Sequence, residues 1–360
     1  MRLLFVFTII SIVSYVGVAI VRWLAYRHNV LDIPNERSSH TASVPRGGGL
    51  VIVVITVVGV WVYQEFYPEL VTKTLVAYTV SAIVIAVVSG LDDLYTQPTW
   101  LRLAIHSVAA ALAIYGCGYL PLRHLLGRDS TLVWAFSLIL TFMWIVGLTN
   151  AYNFMDGIDG IASGQAVLAG LGWVLLGWLS GQPLVTVFGL LLAASTSGFL
   201  VHNWSPARIF MGDVGSAFIG FTLAVLPLIY NTQLDLARRG LSAALVGMIF
   251  VWPFVFDATF TFLRRLRHGE RVFSPHRSHL YQRLVIAGHT HQFVAVLYSS
   301  LAAVGLVVGL GWRFGIRNFS WLLAIMLPLL CLGLWFLVCR REQKTEKPLG
   351  SDLSRYADTV

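Results

Sequence analysis

The sequence predicts an all-α, polytopic membrane protein of about eleven transmembrane helices, and three observations carry that prediction. Of 360 residues, 57% are hydrophobic and 12% charged, where a soluble globular chain carries about a quarter charged. The mean hydropathy is +0.75. Apolar runs of about 20 residues, the length that crosses a hydrocarbon core of about 30 Å, recur from end to end. An ordinary cytosolic enzyme, a disulfide-stapled secreted domain and a disordered chain are excluded.

Taken in order, the runs fall near 3–24, 48–64, 73–91, 101–120, 131–149, 161–180, 184–201, 217–231, 241–262, 292–311 and 320–339. The first, from Leu3 to Val21, is longer than a signal-peptide core and no A-x-A site follows it, so it reads as a span. No repeat, low-complexity tract or linker interrupts the chain. Residues 1–340 therefore read as a single integral-membrane catalytic domain, and 341–360 as a polar cytoplasmic tail rich in Lys, Glu and Ser.

An odd number of spans puts the termini on opposite sides. Sixteen Lys and Arg fall on the side of the C-terminus and eight on the other, which predicts an outside N-terminus and a cytoplasmic C-terminus. The net charge of +8 then belongs to loops facing an anionic leaflet and not to nucleic acid binding. Cys117, Cys331 and Cys339 are odd in number and form no C-x-x-C pair, so neither a disulfide framework nor zinc is indicated.

The same assignment puts five acids on the cytoplasmic face: Asp92 and Asp93 after span three, Asp156 and Asp159 after span five, and Asp213 after span seven. Each alone reads equally well as a solvated loop charge. Together, in Gly- and Asn-rich sequence and separated by whole spans, they point to function, because ionisable groups beside a bilayer are expensive to keep.

The segments are GLDDLYTQ at 90–97, NAYNFMDGIDG at 150–160 and HNWSPARIFMGDVGS at 202–216. Adjacent carboxylates repel, so one of Asp92 and Asp93 can serve as a proton acceptor while the other stays ionised. Asn150, Asn153, Asp156 and Asp159 recur every three residues. On a helix they line one face; in a loop they wrap a hard cation, although the distal Glu of an EF-hand is missing. GDVGS suits either a phosphate at a helix N-terminus or a plain tight turn.

In the loop at 264–283 most Arg residues read as topology, while His276, Arg277 and His279 form a tighter cluster able to donate hydrogen bonds to a diphosphate. His106, inside span four, reads as a polar group satisfied between helices. Arg46, in NERSSHTASVPRGGGL at 35–50, is a basic turn that can approach a substrate or break a helix. Carboxylates, a hard cation and basic donors are what phosphoryl transfer requires. The apolar remainder suits a lipid co-substrate.

At these motifs the chain resembles the polyprenyl-phosphate N-acetylhexosamine-1-phosphate transferase family, in family order from SVPRGGG through DD, NAYNFMDGIDG and IFMGDVGS to PHRSH. The resemblance implies transfer of a HexNAc-1-phosphate from a UDP-sugar to undecaprenyl phosphate, with release of UMP and a requirement for Mg2+, for which Mn2+ can substitute. It implies a bacterial inner-membrane enzyme, multi-pass, working at the cytoplasmic face, and as a homodimer in some arrangements. By position, Asn153 and Asp213 match the metal-binding residues, Asp92 the base that deprotonates the lipid phosphate, and Asp93 its partner. Arg46, Asn150, Asp156, Asp159, His276, Arg277 and His279 match positions near the substrates. The murein branch carries consecutive histidines where this chain has PHRSHLYQ, and SVPRGGG is closer to the O-antigen and common-antigen branch, which implies a simple HexNAc or deoxy-HexNAc donor. The competing expectation is a transporter or lipid flippase, for which Asp257 is the one acid placed in mid-span.

Overall fold

The computed structural model describes residues 1–33, 43–67, 72–95, 97–122, 130–235, 239–271 and 276–345. Residues 35–42 of the first loop, Pro275 of PHRSH and the tail from 346 lie outside them. Helices dominate: α1 (Arg2–Arg27), α2 (Gly49–Phe66), α3 (Thr72–Leu94), α4 (Thr99–Cys117), α5 (Thr131–Phe154), α6 (Ile161–Leu179), α7 (Pro183–Asn203), α8 (Asp213–Thr232), α9 (Ser242–Phe250), α10 (Trp252–Arg267), α11 (Leu280–Ile286) and α12 (His291–Arg313). The last span is continuous but mixed, with α13 (Phe319–Trp321), a π-helical stretch (Leu322–Met326) and α14 (Leu327–Thr345). Ten helices among the described residues are long and apolar enough to cross a membrane, or eleven if α9 and α10 count as one span.

Burial separates the helices into a centre and a rim. Every residue of α8 from Val214 to Asn231 is buried, so its sequence is apolar all round, as a helix enclosed by others must be. It packs against α3, α5, α2 and α9, while α6 and α7 pack on one another. By contrast α1 and the last span keep most of their apolar side chains on the outside, where hydrocarbon rather than protein covers them.

The run expected near 241–262 is broken in two: α9 and α10 meet at 82°. Pro253 lies in the first turn of α10, where it is tolerated only because the helix starts anew there. Hydropathy runs unbroken through both arms, so composition alone hides the bend.

A two-residue antiparallel ladder joins β1 (Leu31–Asp32) to β2 (Val44–Pro45) and leads into the glycines before α2. Phe210 N–H donates to Pro45 O at 2.8 Å, Gly48 N–H to Phe210 O at 3.0 Å and Gly49 N–H to Met211 O at 2.9 Å. SVPRGGG and IFMGD are thus zipped together by their backbones. A Cβ at Gly49 would collide with the backbone of Gly215, so the start of α2 reaches the first turn of α8 only as glycine.

Candidate active site

Asp93, at the end of α3, accepts the Asp213 N–H with Oδ1 at 2.9 Å and the Val214 N–H with Oδ2 at 3.1 Å. It therefore caps α8, filling two of the free donors that every helix start presents and adding negative charge at the positive end of its dipole. Gly212, at φ 76°, makes the entry; a Cβ there would lie 2.5 Å from Asp93 Oδ2. Arg46 flanks the cap, with Nη2 3.1 Å from Asp32 and Nη1 3.7 Å from Asp93. Burial weakens the Arg46 charge, but Asp32 and Asp93 outweigh that and raise its pKa further.

Asp92, one residue earlier, points elsewhere. Its Oδ1 takes the Gln97 N–H and its Oδ2 lies 2.7 Å from Arg102 Nη1. The same Nη1 reaches Asp213 Oδ2 at 3.2 Å, so Arg102, on the first turn of α4, bridges the two carboxylates. Asn153, in the last turn of α5, donates from Nδ2 to Asp213 Oδ2 at 3.2 Å, and its Oδ1 accepts the Ser216 hydroxyl. Three helix ends and the start of α8 thereby converge on Asp213. Its side chain is 32% exposed, against 6% for Asp93, so Asp213 is the one open to a ligand.

Helix α5 stops at Phe154, which splits the three-residue repeat. Asn150 stays on the helix and turns to α4, its Oδ1 3.3 Å from His106 Nδ1, and does not face Asp213. His106 is accordingly satisfied on one nitrogen, as expected, while its buried Nε2 has no partner among the described residues. Asp156 lies in the loop beyond. Burial, helped by the charges of Asp213, Asp93 and Asp159, pushes its carboxyl up to about 8. Asp159 belongs to a different corner, with Oδ2 accepting Ala207 N–H at 3.2 Å and lying 3.4 Å from His291 Nδ1. Burial opposes its charge, but those donors more than offset it and hold the group below its ordinary value.

The last loop is fastened by Asp257, which is fully buried on α10. Its carboxylate accepts Leu280 N–H at 2.8 Å, Tyr281 N–H at 3.0 Å, Tyr298 OH at 2.6 Å and Thr261 OH at 3.1 Å, and lies 3.2 Å from His279 Nδ1. Asp257 is thus the anchor of α11 and not a free mid-span acid. Tyr281 continues the chain of contacts by donating to Phe154 O at 3.0 Å, which sets α11 against the segment bearing Asp156. The His276 and His279 rings lie with centroids 5.0 Å apart and their planes tilted by 35°. His276 Nδ1 accepts the Ser278 N–H at 3.3 Å, so the neutral ring carries its proton on Nε2. Burial, with His279 and Arg265 nearby, drives its pKa down to about 4. Arg277 follows in the same stretch, immediately before α11.

Sequence reasoning missed Arg102, which it counted as a topological charge; its place at the start of the span that follows the DD pair was the available signal. It also missed Glu342, assigned to the polar tail. Residues 341–345 instead continue α14, and Glu342 binds Arg283 of α11 through Nε at 2.6 Å and Nη2 at 2.5 Å.

Among the described residues, no three His, Cys, Asp or Glu side chains converge to form a metal cage. What does converge is oxygen-rich and partial: Asp213, Asn153 and Asp92, with Asp156 nearby. A hard cation that keeps several waters, such as Mg2+, fits that set, whereas zinc does not. Arg102, between Asp92 and Asp213, marks where positive charge is wanted.

A helical membrane bundle with an oxygen-rich site at one end defines the class, and comparison with known proteins gives the family. Residues 75–231 match the family described as Glycosyl transferase family 4. The chain is 33% identical over 305 residues, 82% of its length and 81% of the other's, to a protein of Bacillus subtilis named probable undecaprenyl-phosphate N-acetylglucosaminyl 1-phosphate transferase. A decaprenyl-phosphate N-acetylglucosaminephosphotransferase of Mycobacterium tuberculosis is 31% identical over 313 residues, 80% of this chain and 76% of that one. The undecaprenyl-phosphate alpha-N-acetylglucosaminyl 1-phosphate transferase of Escherichia coli is 27% identical over 296 residues, 80% and 78% of the two chains. The chain belongs to this family, that of the polyprenyl-phosphate N-acetylhexosamine-1-phosphate transferases.

Proposed function

We propose that the protein transfers a HexNAc-1-phosphate from a UDP-sugar to undecaprenyl phosphate, releasing UMP, at the cytoplasmic face of a bacterial inner membrane. One observation carries the reading: Asp92 and Asp213 share Arg102, and Asn153 joins them through Asp213, so that residues of three separate spans meet at one end of the bundle. The names of the relatives support the same reaction. The matched set is that of N-acetylglucosaminyl relatives, which favours a simple HexNAc donor; an O-antigen role rests on the SVPRGGG and PHRSH motifs alone.

Asp213 and Asn153 would hold Mg2+, which when bound neutralises charge developing on the donor diphosphate. Asp92, held by Arg102 and the Gln97 N–H, would take the proton of the lipid phosphate. A phosphate oxygen of the lipid then attacks the donor's β-phosphorus, and the bond from that phosphorus to the bridging oxygen breaks, so that UMP leaves with the bond's electron pair. His276 Nε2–H and Arg277 supply donors to the diphosphate from the loop that Asp257 fastens. Direct attack is favoured because a lipid phosphate is already a nucleophile and needs positioning more than covalent help.

The test is a panel of UDP-sugars given to purified protein with Mg2+ and undecaprenyl phosphate. UMP and a lipid-linked sugar phosphate should form in equal amounts from a UDP-HexNAc. UMP without the lipid product, or neither, would refute the reading.

A further inference from the structure

The last span touches the rest of the protein along a narrow stripe. Among the described side chains of α14, Leu334 and Val338 are the buried ones; they lie four apart on one helix face, and Glu342 follows four later on the same face. The stripe thus ends on a carboxylate and not on another apolar residue. Arg340, Arg341 and Lys344 flank it in sequence, and it stands in the last turn of α14, where the negative end of the helix dipole opposes an acid. An acid kept there needs a partner, and it has one. Arg283 of α11 holds Glu342 with Nε at 2.6 Å and Nη2 at 2.5 Å, the two-pronged geometry that makes an Arg–carboxylate pair directional. The Arg283 side chain is 14% exposed and that of Glu342 33%, so water screens this pair less than an open surface bridge.

We propose that Glu342 is a positioning residue for the transfer: by holding Arg283 it fixes the rotation of α11, and with it the place of His276 and Arg277 against the donor diphosphate. The inference rests on the reaction assigned above and adds a residue that lies beyond its motifs. Helix α11 has seven residues, too few to keep a pose without tertiary support. Asp257 takes the Leu280 and Tyr281 N–H groups, and the Tyr281 hydroxyl reaches Phe154 O; all three bonds are made by the start of the helix. Anchors at one end leave the other free to swing. Arg283 supplies a further point, on α14, which packs against α11 from another side. Arg264 of α10 gives a second reason for the acid. Its Nη2 donates to Ser278 O at 3.4 Å, between Arg277 and His279, and the charges of Arg283 and Glu342 both act on it. With Glu342 neutral, Arg264 and Arg283 lose a carboxylate that both feel, and their repulsion acts on α11 and on the loop before it.

The experiment is a double-mutant cycle on the full chain, with Glu342→Gln, Arg283→Gln and the two together. Each single variant should raise the KM for UDP-N-acetylglucosamine about tenfold, within the range for a small misplacement of binding groups, while the KM for undecaprenyl phosphate and the melting temperature stay near wild type. The double variant should be no worse than either single one, because the pair acts as a unit. Independently of turnover, hydrogen exchange in peptides covering 280–286 should quicken to the same extent in all three. Effects that add in the double variant, or a KM for UDP-N-acetylglucosamine that is unchanged or lowered, would overturn the assignment. Both KM values rising together with a fallen melting temperature would overturn it too, and reduce the pair to a structural contact. A wild type that releases no UMP from any UDP-sugar would instead refute the transferase reading; the exchange rates then judge the clamp alone, and unchanged rates in the variants would refute it.

Discussion

Asp93 caps the helix that Asp213 begins, one carboxylate oxygen on each of the first two N–H groups of α8, while its neighbour Asp92 turns to Arg102. Two consecutive acids therefore do separate work, one holding a helix start in register and the other facing the open carboxylate.

That division predicts different phenotypes. Loss of an N-cap costs about 0.5–2 kcal/mol, and the loss here also frees Asp213 to shift. Asp93→Ala should lower the melting temperature in detergent and reduce transfer together. Asp92→Asn should leave melting near wild type and reduce kcat by about 10²-fold, the range for removing a general base. Equal melting of wild type and Asp93→Ala would show that the cap contributes nothing.

Asp257 should behave as a structural anchor. Asp257→Leu strands two backbone N–H groups and the Tyr298 hydroxyl, each worth about 1–3 kcal/mol when left unpaired in a buried place. Limited proteolysis should then cut residues 268–279 far faster than in wild type, with transfer lost in parallel. An unchanged cleavage rate would mean that α11 is held by something else.

His276 gives a pH prediction. Its pKa falls to about 4 in the fold from about 6.5 in an unfolded chain, so between those values the unfolded state binds more protons. Stability should rise with pH across that window and level off above it. In His276→Gln the slope of melting temperature between pH 4 and 6.5 should flatten. A wild-type slope retained in the variant would assign the effect to other groups.

Direct attack predicts that enzyme mixed with UDP-sugar and Mg2+, without lipid, releases no stoichiometric burst of UMP. A burst equal to the enzyme concentration, with sugar phosphate retained on the protein, would establish a two-step route instead.

The spans and the gathering of acids were legible because hydropathy and the order of motifs are properties of the chain itself. The directions of side chains were not. Asn150 and Asn153 share a spacing, yet Asn150 meets His106 while Asn153 meets Asp213, because α4 and α8 approach different faces of α5. The bend before Trp252 was hidden by apolar residues on both sides, and Pro253 was its one visible sign. Asp257 looked like a mid-span transporter acid since its five donors come from α10, α11, α12 and the residue before α11, which sequence spacing does not bring together. Arg102 and Glu342 passed as loop and tail charges because the positive-inside count treats all cations alike and the tail composition hides a continuing helix.

We propose that Asp213 and Asn153 hold the divalent cation on which transfer depends. The most direct test is UMP release against Mg2+ concentration for purified wild type and Asp213→Asn, with melting temperature measured on the same samples. The predicted result is saturable Mg2+ dependence in wild type and loss of turnover at every Mg2+ concentration in the folded variant. Turnover near wild type in Asp213→Asn, or transfer by wild type that persists in excess chelator, would contradict it.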